Sequence, residues 1–110
     1  MDSFIRRSWL EIDLSQIQKN YELYKANISL SSSVIAVIKA NAYGHGDVEV
    51  ARTLMEVGVN KWAVSNIEEA SRLRKFDIKG DILILGYTPI EEISMLEKND
   101  ITQAILSEEY

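Results

Sequence analysis

Four short apolar runs, starting near residues 34, 61, 81 and 101, each stop at a polar or glycine turn and alternate with stretches of helical spacing. That alternation leaves few folds open. Strands separated by single helices run parallel and are joined by right-handed crossovers, which places the chain in the α/β class, as an open doubly wound sheet or as part of a barrel. At 110 residues the chain can bury one modest core. A whole (β/α)8 barrel takes about 250 residues. No Gly-x-Gly-x-x-Gly fingerprint and no phosphate loop ending in Gly-Lys-Ser/Thr occurs, which weighs against a nucleotide-binding sheet.

Taken in order, residues 1–8 read as a loose start and Trp9-Leu10-Glu11-Ile12 as a short strand. Asp13 and Gln16 have capping-box spacing, and Leu14, Ile17, Tyr21 and Tyr24 define one apolar helix face. Residues 27–33 are polar and serine-rich, a loop leading into a strand from Val34 to Ile38 that is β-branched enough to be buried on both faces. Asp47 is positioned to cap a helix carrying Val48, Ala51, Leu54, Met55 and Val57, with Gly58 as its stop. Lys61-Trp62-Ala63-Val64 is the next strand, and Ser65 with Glu68 predicts a capped helix running to about Phe76. Residues 81–85 form a buried strand closed by Gly86. Thr88-Pro89-Ile90-Glu91 combines a cap with a proline at the first helical position, the clearest helix start in the chain. Residues 101–106 are expected as a strand and residues 107–110 as the start of another helix.

The chemistry is expected where the first buried strand ends. Residues 34–46 read VIAVIKANAYGHG, so an apolar run stops abruptly at Lys39 and a turn of small residues. A lysine taken out of water has a lowered pKa and a nucleophilic amine, the requirement for a Schiff-base lysine. Gly44 and Gly46 permit positive φ or close backbone approach, so an anion could lie against the turn. A plainer alternative is that Lys39 extends to solvent and Tyr43 packs on a helix. His45, the only histidine, and Asn41 are expected in structural roles, shaping the turn through hydrogen bonds.

Composition removes other classes. A formal charge of -5, from 12 basic and 17 acidic residues with the basic ones scattered, gives no case for nucleic acid. The absence of cysteine excludes disulfides and thiolate metal sites, and no metal site is expected. No apolar run is long enough to span a bilayer. After Arg6-Arg7 an acid at Glu11 interrupts what an export signal would need, so no targeting segment is expected and a cytoplasmic location is.

Lys39-Ala40-Asn41-Ala42-Tyr43-Gly44-His45-Gly46 closely resembles the pyridoxal-phosphate lysine signature of bacterial alanine racemases. The likeness extends to Trp9-Leu10-Glu11-Ile12-Asp13-Leu14 with Asn20, to Trp62-Ala63-Val64-Ser65 followed by Glu68-Glu69-Ala70 and Leu73-Arg74, and to residues 81–89. One departure is Lys19, where the family commonly has histidine. The similarity covers nearly the whole chain but under half of the family's length.

The resemblance implies parallel βα repeats forming the first half of a (β/α)8 TIM-type barrel, with residues 1–110 as the N-terminal part of the barrel domain. It implies an L-/D-alanine racemase serving D-alanine and cell-wall synthesis. Lys39 would form an aldimine with pyridoxal 5'-phosphate and serve as the base on the D-face. Tyr43 would lie against the cofactor phosphate and Leu85 would line its site. A second base, a tyrosine of a later β-rich domain, and an arginine near the pyridine nitrogen would lie beyond residue 110, in an enzyme expected to be a homodimer. The isolated chain is expected to be inactive. Three other readings stay open: the catalytic segment of a serine racemase, a non-catalytic pyridoxal-phosphate-binding protein, and an interaction module built on an open sheet edge.

Overall fold

A computed structural model describes residues 11–110. The loose start expected over residues 1–8 lies outside the described residues, as do Trp9 and Leu10 of the expected first strand. Glu11 and Ile12 are not in a strand.

Helix α1, Leu14–Ala26, begins where the sequence places it, with the Asp13 carboxylate accepting the Gln16 N–H. The capping box is only half made, because the Gln16 amide turns to Asn20 instead of back to the cap. Leu14, Ile17 and Tyr21 pack against the core, whereas Tyr24 points out to solvent. Gln18 then fastens α1 to the helix over Asp47–Met55 by donating to the Thr53 carbonyl at 2.8 Å.

Strands β1 (Ala36–Val37), β2 (Lys61–Val64), β3 (Asp81–Ile84) and β4 (Ile101–Gln103) form one parallel sheet in the order β1-β2-β3-β4. Between them lie α2 (Lys39–Tyr43), α3 (Asp47–Met55), α4 (Ile67–Lys75), a 3-10 turn (Ile90–Glu92) and α5 (Ile93–Lys98). Neighbouring strands thus follow one another in sequence, as in the opening repeats of a barrel.

Register separates the two faces of the sheet. Ala36, Trp62, Ile82 and Ile101 are aligned, and they join Val64, Ile84, Ala70 and Leu73 in the core under the helices. The next row, Val37, Ala63, Leu83 and Thr102, lies on the opposite face by the alternation of strand side chains. This face is less covered at its rim, where Val37 is 41% exposed and Leu85 40%, although Ala63 is buried. The strand at residues 34–38 is therefore shorter than expected and buried on one face only, with Ile35 also exposed.

Further expectations shift, and the first is that Gly46 and not Asp47 stands at the cap of α3, whose first residue is Asp47. The residue that caps α4 is Asn66, not Ser65, and its side chain accepts the Glu69 N–H at 2.9 Å. Thr88 does not cap the helix after it: fully buried, it donates its hydroxyl to Gln103, and the chain passes through the 3-10 turn before α5 begins. Strand β4 stops at Gln103, leaving Ile105 and Leu106 exposed, and residues 107–110 form no helix. Instead the Tyr110 phenol donates to the Thr88 carbonyl at 2.7 Å and accepts the Thr88 N–H.

Hydrogen bonds from Ser15 and then from the Gln16 N–H hold the Asp13 carboxyl below the usual aspartate range. Its contribution to stability is complete above the ordinary aspartate pKa and fades as pH falls through the lowered value. Asp13→Asn, which keeps an acceptor, should remove that part of the acid dependence in a pH series of denaturation curves. Leu73→Ala, at a side chain with no exposed surface, should cost about 2–5 kcal/mol by denaturant titration, against at most about 0.5 kcal/mol for the exposed Leu23→Ala.

Candidate active site

Sequence and backbone meet at the C-terminal end of β1. Ile38, the last core residue, donates its N–H to the Ala63 carbonyl at 3.0 Å, and the chain then leaves the sheet at Lys39. Ala40, Asn41, Ala42 and Tyr43 all have φ between 52° and 57°, so α2 is a left-handed helical turn made by four successive non-glycine residues. For L-residues this conformation costs roughly 1–2 kcal/mol each, least for asparagine. Gly44 at φ 92° and Gly46 at φ 95° supply the positive φ that their residue type was expected to supply.

The surroundings offset this strain. Within the turn, Ala42 N–H donates to Ile38 and Gly44 N–H to Ala40, while Gly46 N–H donates to Asn41 at 2.9 Å. Asn41 accepts the Asp47 N–H on its side-chain oxygen at 2.9 Å, and the His45 ring sits 3.0 Å from the Ala42 carbonyl. Both residues thus take the structural roles expected of them. Asp47, buried in the first turn of α3, accepts the Val48 N–H and meets the Arg72 Nε with both oxygens at 3.2 Å. The Arg72 guanidinium in turn lies over the Phe76 ring.

One carboxylate reaches the lysine turn directly. Glu69 accepts the Ala40 N–H on Oε2 at 2.8 Å and the Ser65 N–H on Oε1 at 2.6 Å. It therefore bridges the residues that follow Lys39 and Val64, at the same end of β1 and β2. Glu69, Asp47 and Arg72 were not singled out as site residues from the sequence. The signal for Glu69 was present as the Asn66-to-Glu69 capping spacing, one residue out of register from the Ser65–Glu68 pair.

Lys39 is half-buried, and none of the ion pairs among the described residues involves it. Tyr43 is 61% exposed, so its phenol is not packed on a helix. Leu85 follows β3 at the same edge of the sheet and donates its N–H to Val64 at 2.8 Å. Gly86, next in the chain, is required by close approach: a Cβ there would collide with the Ser65 carbonyl oxygen. Lys39, Tyr43 and Leu85 thus all belong to the C-terminal edge of a parallel sheet, where barrel folds place their sites. Among the described residues no group of three or more His, Asp or Glu could hold a metal ion, and no helix is long and apolar enough to cross a membrane.

Residues 12–110 match the family "Alanine racemase, N-terminal domain". The chain belongs to this alanine racemase family. It is 44% identical over its whole length to the alanine racemase of Clostridium perfringens, of which it covers 28%. It is 43% identical over 104 residues to an "Amino-acid racemase" of Enterococcus faecalis, covering 94% of this chain and 15% of that protein. The crystal structure of the Bacillus anthracis alanine racemase with bound L-Ala-P superposes with a TM-score of 0.88 at 37% identity, covering 96% of this chain and 28% of that one. The chain thus spans about a quarter of the length of the alanine racemases it matches, and its parallel repeats are those of the barrel part of the family.

A buried carboxylate paired with a half-exposed guanidinium predicts strong coupling. Arg72→Ala should destabilise by about 1–3 kcal/mol, because it strands the Asp47 charge. In a double-mutant cycle with Asp47→Ala, measured by denaturant unfolding, the coupling energy should be at least about 0.5 kcal/mol.

Proposed function

We propose that the full-length protein to which this chain belongs interconverts L- and D-alanine with pyridoxal phosphate, and that Lys39 is the point of cofactor attachment. The observation that carries this reading is an amine without an acidic partner among the described residues, held at a strand end by a strained and heavily bonded turn. The donor set fits the cofactor. A primary amine suits its aldehyde, the exposed phenol of Tyr43 can donate to its phosphate, and Leu85 offers an apolar wall at the same edge. When bound, the cofactor supplies an electron sink that makes the α-proton of an amino acid removable.

In this reading Lys39 has two tasks, holding the cofactor and moving the α-proton on the D-face. The left-handed turn keeps its strand-end position fixed between those tasks. Tyr43 orients through the phosphate and Leu85 through packing. We also propose that residues 1–110 are the N-terminal part of the barrel domain, with the second base and the cofactor arginine supplied by later sequence, in a cytoplasmic homodimer. The isolated 110-residue chain would then turn over little or no substrate. A second reading, a racemase whose amino-acid substrate is not alanine, with serine as the candidate, draws on the likeness to an Enterococcus faecalis protein named only as an amino-acid racemase.

Borohydride reduction of the full-length protein after addition of pyridoxal phosphate should leave a pyridoxyl group on the peptide containing Lys39. Lys39→Ala should abolish both that label and α-proton exchange from alanine into solvent. A label on another lysine, or exchange that survives the substitution, would contradict the assignment.

A further inference from the structure

We infer that Glu69 is a positioning residue that sets the place of Lys39 through the backbone; this rests on the reading of Lys39 as the reactive amine. Glu69 is the third residue of α4, where a capping glutamate ordinarily returns one oxygen to the start of its own helix. Here Oε1 reaches past the Asn66 cap and accepts the N–H of Ser65, the residue before it. Oε2 has no part in the cap. It accepts the Ala40 N–H, 29 residues away in sequence, at the peptide that joins Lys39 to the left-handed turn.

Geometry and charge both point away from an ordinary ion pair. None of the ion pairs among the described residues includes Glu69, so backbone amides take both of its oxygens. The carboxylate is held at both oxygens, and its backbone is fixed where the Asn66 side chain accepts the Glu69 N–H. An ionised acceptor makes a stronger bond to an N–H than a neutral one does. Ala40 is the first residue of the turn with positive φ, and its N–H would otherwise have no partner in the turn. Glu69 therefore pins the entry to the strained turn and locks it to the end of β2, so that the chain leaving β1 at Lys39 holds a fixed relation to the neighbouring strand.

The test uses the full-length protein and two readouts. Without cofactor, Glu69→Ala should speed amide hydrogen exchange at Ala40 and Ser65 by about tenfold or more, while the core amide of Leu73 is unchanged. With pyridoxal phosphate, the rate of borohydride-trapped labelling at Lys39 should fall by about tenfold. Glu69→Gln, which keeps the length but only one acceptor oxygen, should lie between the two in both readouts, and it carries the test if the alanine variant does not fold. Unchanged exchange at Ala40 would overturn the contact. Faster exchange with unaltered labelling would overturn the positioning role and leave Glu69 a structural cap. If the unsubstituted protein takes no label at Lys39, the attachment reading itself fails, and the exchange data separate that failure from a failure of the Glu69 contact.

Discussion

Four consecutive L-residues in the left-handed region do not persist on their own propensity, and the architecture around residues 40–43 follows from holding them. Ala42 is buried, Asn41 spends its side chain on the first turn of α3, and Glu69 takes the Ala40 amide. Each bond is modest alone, about 1 kcal/mol for neutral pairs and more for the carboxylate. Together they offset a backbone cost of several kcal/mol. The result is a lysine followed by a turn that is tied down at several points, which suits the attachment role proposed for it.

Helix α4 serves both ends of the sheet. Its first turn carries Asn66 and Glu69, which organise the C-terminal edge. Its last turn carries Arg74, whose guanidinium donates to the carbonyls of Ile78, Gly80, Asn99 and Asp100 and so gathers the loops that enter β3 and β4. Between those ends Ala70 and Leu73 are wholly buried against the strands. Acidic residues in the first turn and basic ones in the last also match the helix dipole. One helix thus serves both the edge that carries the candidate site and the opposite edge, where its bonds gather loops.

Local chemistry made much of this legible. The Asp13 cap, the strand at Lys61–Val64, the positive φ at Gly44 and Gly46, and the turn roles of Asn41 and His45 depend on neighbours within a few residues, and sequence displays such neighbours directly. The cap of α4 slipped by one position because Ser65 and Asn66 are both good caps and both have a glutamate three residues on. What separates them is that the Asn66 side chain accepts the Glu69 N–H. Thr88 looked like a cap for the same local reasons, and lost that role to Gln103 and Tyr110, which are distant in sequence.

What the sequence determined by itself was the parallel α/β order of the elements and the strand-end lysine with its turn, because periodicity, glycine placement and an unbroken run of eight motif residues are properties of contiguous chain. Tertiary structure alone decided which face of β1 is covered, that residues 40–43 wind left-handed, and that Glu69 and the Asp47–Arg72 pair hold them. The last two contacts join residues 25 to 29 positions apart, and no local pattern encodes which carboxylate will find which amide or guanidinium.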